Sequence, residues 1–315
     1  MSHRIRATVA ALAIGLGISG SASAETVRLM TGPQGGVWVP LGGALKGIWE
    51  KAVPGLTVQS LPGAGIANMR GVEEGKAEIG FGNSISTVDA LNGSAPFTTK
   101  AKNICQMATL YPQYFQVVAL ASSNVNTIAD LKGKSIAVQT RGNTAEIITQ
   151  HILKAYGLDY QQMGKVNFLA SYNDAVSQMQ DGHAQVFTLG TTVPSSAVMD
   201  LASVRDVKMI GITDDKVQEM KKINPGYNAV TIKGGTYPKL DKDVQVIGYA
   251  THLVASCKLP ENQVYAMVKS LHASVKDLSA INKPLGDLTP KMMAEDIGVP
   301  LHPGATKFYK EAGAL

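Results

Sequence analysis

The chain alternates short apolar runs with helical stretches, and twice a long extended segment interrupts that alternation. Val27–Met30, Leu56–Ser60 and Glu78–Phe81 read as strands. Between and after them, Val39–Lys51, Ile66–Glu74 and Ser84–Leu91 read as helices. The βαβ rhythm implies a mainly parallel sheet covered by helices. "QMATLYPQYFQVVALAS", from Gln106, then runs on past the length of an ordinary strand. The alternation restarts at Ser135–Gln139, followed by a helix over Thr144–Tyr156 with Ile148, Ile152 and Tyr156 on one face. Asn143 and Glu146 are spaced as a capping box for that helix, and Gly157 closes it. Val166–Ala170, Ala175–Gln180, Gln185–Phe187, Ser195–Ala202 and Val207–Ile212 continue the pattern. A second long extended segment, "VQVIGYATHLVAS", spans Val244–Ser256, and helices fill most of the rest.

Two α/β units separated by two long extended segments give an economical topology. Two lobes, each a mainly parallel sheet flanked by helices, are joined by a pair of crossing hinge strands. The first lobe is discontinuous, from residues 25–116 and 252–315, and the second takes residues 117–251. Antiparallel crossing strands would put Cys105 and Cys257 on the first lobe's side. Two readings of them stand: a disulfide, which an oxidising compartment permits, or two small buried hydrophobes.

Residues 1–24 read as a cleavable signal peptide. His3, Arg4 and Arg6 make a positive start, Val9–Ile18 is a short apolar run, and Ala22-Ser23-Ala24 matches a cleavage site. The run is too short to span a bilayer, and Arg4 and Arg6 are not adjacent as a twin-arginine signal needs. Removing 24 of 315 residues leaves 291 and lowers the formal charge from +5 to +3, because two arginines go with them. That length suits two lobes with separate cores. The mild charge, without a basic run, argues against nucleic acid as a partner, and no later stretch suits membrane insertion of the mature chain.

In open α/β sheets, ligands bind beyond the carboxyl ends of the strands. The corresponding loops are Thr31–Trp38, Gly63–Asn68, Gly82–Ser86, Arg141–Thr144 and Thr188–Pro194. They contain no Asp, Glu or His, and Arg141 is their only charge. General acid–base catalysis and metal binding both need groups these loops lack, so neither an enzyme nor a cofactor or metal is expected. Hydroxyls, amides and free N–H groups at helix starts suit a small anion, a carboxylate above all. The candidate ligand-binding residues are Thr31, Gly35, Gly36, Val37, Trp38, Asn68, Asn83, Ser84, Arg141, Asn143, Thr144, Thr188, Gly190, Thr191 and Pro194. Each has a plainer reading. Gly35 and Gly36 also suit a tight turn, Trp38 suits core packing, and an isolated arginine such as Arg141 usually faces solvent. Gly133-Lys134-Ser135 is not a phosphate loop: position 128 is Ile, and the triplet precedes a strand instead of following one.

"TGPQGGVWVPLGGAL", "GAGIANMRGVEEGKAEIGF" and "LKGKSIAV", followed in order by "NPGYNAVTIKGGTYP", "LPENQVYAMVKSL" and "LHPGATKFYKEAG", resemble the TAXI group of solute-binding proteins. These serve TRAP transporters, which are tripartite and ATP-independent. The resemblance covers nearly the whole chain after residue 24. It implies a periplasmic-binding-protein fold of the second type and a periplasmic location. It also implies hinge closure around a small acid such as glutamate, 2-oxoglutarate or a related dicarboxylate, and delivery to TRAP-type membrane permease subunits. The family's ligand loops match Gly36–Trp38, Asn68, Asn83-Ser84 and Asn143-Thr144. "QTRGNT" departs from the family, where small residues are commoner than Arg141, and favours a second carboxylate. An ABC permease and a membrane sensor kinase are the alternative destinations.

Overall fold

The computed structural model describes residues 25–224 and 226–315, so the expected signal peptide lies outside the described residues. The first unit is β1 (Glu25–Met30), α1 (Trp38–Ala52), β2 (Leu56–Leu61), α2 (Gly65–Glu73), β3 (Ile79–Asn83) and α3 (Ser84–Asn92). The long strand β4 (Ile104–Leu120) leads out of it. Then come β5 (Ser135–Gln139), α4 (Thr144–Ala155), β6 (Lys165–Leu169), α5 (Tyr172–Gln180), β7 (Val186–Thr191) and α6 (Ser196–Val204). β8 (Val207–Met209), α7 (Asp214–Ile223) and β9 (Asn228–Ile232) complete this unit. The second long strand, β10 (Val244–Ser256), returns to the first lobe. There α8 (Glu261–Ala273), α9 (Val275–Leu278), α10 (Pro290–Met293) and α11 (Pro303–Glu311) end the chain.

One sheet runs through both lobes in the order β2-β1-β3-β10-β4-β7-β5-β6, with β8 on β4 and β9 on β10. Within each lobe the βαβ units are parallel: β1 pairs with β2 and β3, and β5 with β6 and β7. The two long strands are antiparallel to each other and to their neighbours in both lobes. β10 pairs with β9 over Val244–Gly248 and with β3 over Thr251–Ala255. At the change of partner, Tyr249 stands opposite Gln113. The fold is thus the expected two-lobed α/β architecture with two crossing strands.

The C-terminal helices complete the first lobe's core because α1 needs a second wall. Its apolar stripe, Trp38, Leu41, Leu45 and Trp49, follows helical spacing, and all four are buried. One cluster joins that stripe to Leu29, Val58 and Phe81 of the sheet and to Met267, Val268 and Leu271 of α8. The Trp49 indole Nε1 donates to the Met267 carbonyl at 3.1 Å, which satisfies the one polar atom of a fully buried ring. The second lobe has a core on each sheet face. One lies under α4 and α7, with Ile148, Ile152, Val217 and Met220, and the other under α5 and α6, with Val176, Met179, Val198 and Leu201. That two-sided cover explains why β5 reads as an apolar run without alternation.

Cys105 and Cys257 are joined as a disulfide, with Cα atoms 5.1 Å apart. The capping box at α4 does not form. Glu146 instead accepts from the Gly142 N–H at 3.0 Å and from Gln150 Nε2 at 2.6 Å, and no side chain caps the helix. The Asn143 N–H, which Glu146 would bond in a capping box, donates instead to the Thr140 carbonyl at 3.0 Å. Among the described residues, no helix is long and apolar enough to cross a membrane.

Trp49→Ala is expected to cost about 3–5 kcal/mol of stability, as large aromatic truncations in closed cores do. Urea titration checks this; a loss below about 1 kcal/mol would show that α1 and α8 do not share a packed core.

Candidate functional site

Five helices begin at one cleft between the lobes. Gly36, Val37 and Trp38 line it at the start of α1, Ala64 and Gly65 at α2, and Asn83 at α3. The second lobe contributes Asn143, Thr144 and Ala145 at α4, and Tyr172 at α5. Gln113 and Tyr249, the opposed pair where the long strands change partner, also line it, with Gln139, Gly190 and Thr191. The space is about 440 Å³ counting its mouth. No lining side chain is an acid, a lysine, an arginine, a histidine or a cysteine. Each helix start brings partial positive charge. Among the described residues, the N–H groups of Trp38, Gly65, Thr144 and Ala145 find no acceptor.

The first-lobe loops are pinned from beneath by Asn68, which is wholly buried. Its Nδ2 donates to the carbonyls of Thr31 (2.8 Å) and Phe81 (2.9 Å), and its Oδ1 accepts from the Ala64 N–H (3.0 Å). One amide thereby ties the ends of β1 and β3 to the start of α2. Trp38 stacks on Phe81, ring centroids 5.4 Å apart. With its amide set to match its neighbours, Gln113 accepts from Trp38 Nε1 at 3.2 Å and from Thr251 Oγ1 at 2.7 Å. It then donates to the Gly190 carbonyl and the Tyr249 hydroxyl, both at 3.2 Å, and so links the two lobes at the cleft floor. The Tyr172 hydroxyl donates to the same Gly190 carbonyl at 3.0 Å. Burial pushes the Tyr172 and Tyr249 phenols up, so both stay neutral.

The lobes meet around this cleft. The Thr144 hydroxyl accepts from the Ile66 N–H at 3.1 Å and donates to Ser86 Oγ at 3.3 Å. A Cβ at Gly65 would stand 2.0 Å from Thr144 Oγ1, so only glycine permits this approach. The Tyr172 N–H donates to the Gln34 carbonyl at 3.0 Å. Gly35, at φ +82°, passes so close to Asn173 that a Cβ would fall 2.4 Å from its Oδ1. A second contact lies farther out, where Asn224 Nδ2 of the second lobe reaches the Ile85 carbonyl (3.3 Å) and Asp89 Oδ1 (3.0 Å) on α3.

Eight of the fifteen candidate residues line the cleft: Gly36, Val37, Trp38, Asn83, Asn143, Thr144, Gly190 and Thr191. The other seven stand elsewhere. Thr31 Oγ1 bonds the Leu61 carbonyl, Ser84 Oγ accepts from the Ala250 N–H, and Thr188 pairs with Thr149 behind the wall. Asn68 is the pin beneath the loops, and Gly35 and Pro194 border an outer groove. Arg141 is exposed, its guanidinium 4.1 Å from the centroid of the Phe168 ring. Gln113, Gln139, Tyr172 and Tyr249 were not foreseen. Gln139 and Tyr172 obey the rule that found the others, at the carboxyl end of β5 and the start of α5. Gln113 and Tyr249 depend on strand register.

A profile of the NMT1-like family matches residues 29–313. The chain belongs to the NMT1-like family. Among solved structures, it is similar to the periplasmic binding protein BugD at 15% identity, covering 92% of this chain and 98% of that one, with a TM-score of 0.55. It is also similar to PhnD1 from Prochlorococcus marinus (MIT 9301), solved with methylphosphonate. That match is 12% identical, covers 93% and 100% of the two chains, and has a TM-score of 0.53. At such identities the likeness establishes the fold, a periplasmic-binding-protein architecture of the second type.

The outer contact between the lobes titrates. Burial pushes the Asp89 carboxyl up to about 6 from 3.8, against the opposing effect of the Asn224 hydrogen bond. Tyr227 lies beside it, bonded through its hydroxyl to His151, and among the described residues no cation is paired with Asp89. A carboxyl raised in this way favours the contact when protonated. The benefit is complete below about 3.8 and is lost as pH rises through about 6. Solution scattering of the ligand-free protein should therefore show greater compaction at pH 5 than at pH 7.5, and Asp89→Asn should remove the difference. Equal dimensions at both pH values would show that Asp89 does not bear on closure.

Proposed function

We propose that this protein is a periplasmic solute receptor. It captures a small organic acid by closing two lobes over it, and delivers it to a membrane permease of the TRAP type. One observation carries the reading. The inter-lobe cleft gathers five helix N-termini and neutral donors, with no acid or base to neutralise them or to do chemistry. Such a site attracts an anion and has no group that titrates near neutral pH to move a proton. The NMT1-like family match and the binding-protein fold support the reading. PhnD1, on the same fold, was solved with another small anion, methylphosphonate. The resemblance to the TAXI group points to a TRAP permease as the destination. Glutamate, 2-oxoglutarate and related dicarboxylates are the first acids to test on that ground.

Thermal unfolding with a panel of acids and sugars tests the reading, on protein refolded to strip carried solute. A solute at 100 times its dissociation constant adds about 2.7 kcal/mol. In lobes of this size that is a rise of roughly 5–10 °C. A response to an acid and none to sugars is expected; a response to sugars alone would overturn the anion receptor. Uptake into vesicles bearing the permease separates destinations: an ion gradient sustains a TRAP system, and a requirement for ATP would assign an ABC permease instead.

A further inference from the structure

We propose that the outer groove is a second binding site, separate from the cleft, and that it takes an oxyanion group at the start of α6. The two spaces share only Gly36, Val37 and Thr191. Thr192 and Ser195 line the groove and not the cleft, on the turn from β7 into α6, and are 8% and 3% exposed. Among the described residues neither hydroxyl has a partner: Thr192 accepts only at its carbonyl, and Ser195 bonds only through its backbone. Ser195 stands at the N-cap of α6 yet makes no cap bond, whereas Ser171 caps α5 and Thr289 caps α10. The N–H groups of Ser196 and Ala197, which open this helix of nine residues, also find no acceptor among the described residues. A helix start attracts an anion. Buried hydroxyls left unpaired beside it are costly until an acceptor arrives.

The turn that carries these groups is held from beneath. The Tyr237 hydroxyl accepts from the Ser195 N–H at 2.8 Å and donates to Gln116 Oε1 at 2.6 Å. Gln116, wholly buried on β4, donates from Nε2 to the Thr192 carbonyl at 3.4 Å. The turn is therefore ordered before a ligand arrives, which lowers the cost of binding. No side chain lining the groove is charged, so no carboxylate competes for the donors. The first lobe supplies the other wall, with Val37, Val39, Pro40 and Ile281, and Ser196 Oγ reaches the Gly35 carbonyl at 3.5 Å across the seam. The space is about 710 Å³ counting its mouth, which leaves room beside the oxyanion for a short apolar body against that wall. The oxyanion is thus either a free inorganic ion or the anionic end of a small organic molecule.

Calorimetric titration of the refolded protein, at one pH and one ionic strength, uses inorganic phosphate, propylphosphonate and, as the uncharged control, propanol. At least one oxyanion should bind and propanol should not. Tighter binding of propylphosphonate assigns an organic ligand, and equal or tighter binding of phosphate assigns the inorganic ion. The double variant Thr192→Val, Ser195→Ala removes two hydroxyls that hold nothing in the protein, so it should fold as before. It should weaken the oxyanion at least about tenfold, the loss expected when hydrogen bonds to a charged group are removed. Asn143→Ala, which alters the cleft alone, should not weaken it. Oxyanion binding that survives the double variant, or that Asn143→Ala removes, would place the ion in the cleft and overturn the second site while leaving the anion receptor standing. No binding of either oxyanion would overturn the second site as well. If the double variant does not fold, Ser195→Asp decides. Its carboxylate would occupy the start of α6, raising the unfolding temperature and abolishing oxyanion binding, and undiminished binding in this variant would overturn the site.

Discussion

The antiparallel pairing of β4 with β10 runs from Ile247 opposite Phe115 to Ser256 opposite Ile104, and every other contact between the lobes is conditional on it. It sets Gln113 against Tyr249 at the cleft floor, and it brings Cys105 beside Ala255 and so within reach of Cys257. A one-residue slip would turn each side chain on these strands to the opposite face. The core and the cleft would be lost together. The β1-β2-β3 and β5-β6-β7 units can each form from local βαβ contacts, but only the two long strands fix the loops of one unit opposite those of the other.

Given that register, the cleft is an electrostatic consequence of connectivity. In each lobe the helices start where the parallel strands end, so their N-termini point the same way, into the space between. Asn68 then uses both amide donors and its carbonyl oxygen to hold the ends of β1 and β3 to the start of α2. Preorganised donors need no rearrangement when an anion arrives, whereas long charged side chains would first have to be ordered.

Much of this was legible in the sequence, and the rest was not for identifiable reasons. The βα alternation, the two long segments and the return of the C-terminal helices follow from apolar periodicity, which folding preserves. Loops such as Gly36–Trp38 and Asn143-Thr144 follow from the rule for strand ends. Arg141 was chosen for its charge, but a guanidinium on a flexible stem can turn to any nearby ring, and here Phe168 of the adjacent β6 supplies one. Thr188 offers a hydroxyl on the same face of β7 as Gly190, but it lies one repeat deeper along the strand, where it pairs with Thr149 of α4 and does not reach the cleft. Gln113 and Tyr249 lie far apart in sequence and meet only through the long-strand register, which neither composition nor period encodes. The expected capping box at Asn143 fails because the Asn143 N–H donates to the Thr140 carbonyl, and the Glu146 carboxylate takes the Gly142 N–H instead.

The hydrogen bonds between lobes are few, with Ile85 of α3 adding an apolar contact to the second lobe's core, and that bears on how a receptor of this shape would work. Ile66 with Thr144, Tyr172 with Gln34, and Asn224 with Asp89 each join groups that water would serve almost as well when the lobes part. Their net contribution is on the order of 1 kcal/mol each. A hinge closed by a hydrophobic interface would stay shut whether or not cargo was present, and would signal nothing. Here Gln139 Nε2 and the first turn of α4 have no partner among the described residues, and in a receptor that closes they would make the larger difference between open and closed. An anion that reaches donors of both lobes binds the closed form better than the open one, and by that difference alone it shifts the population. In such a receptor the same unmet donors would make the empty closed form costly and would make closure report on the ligand.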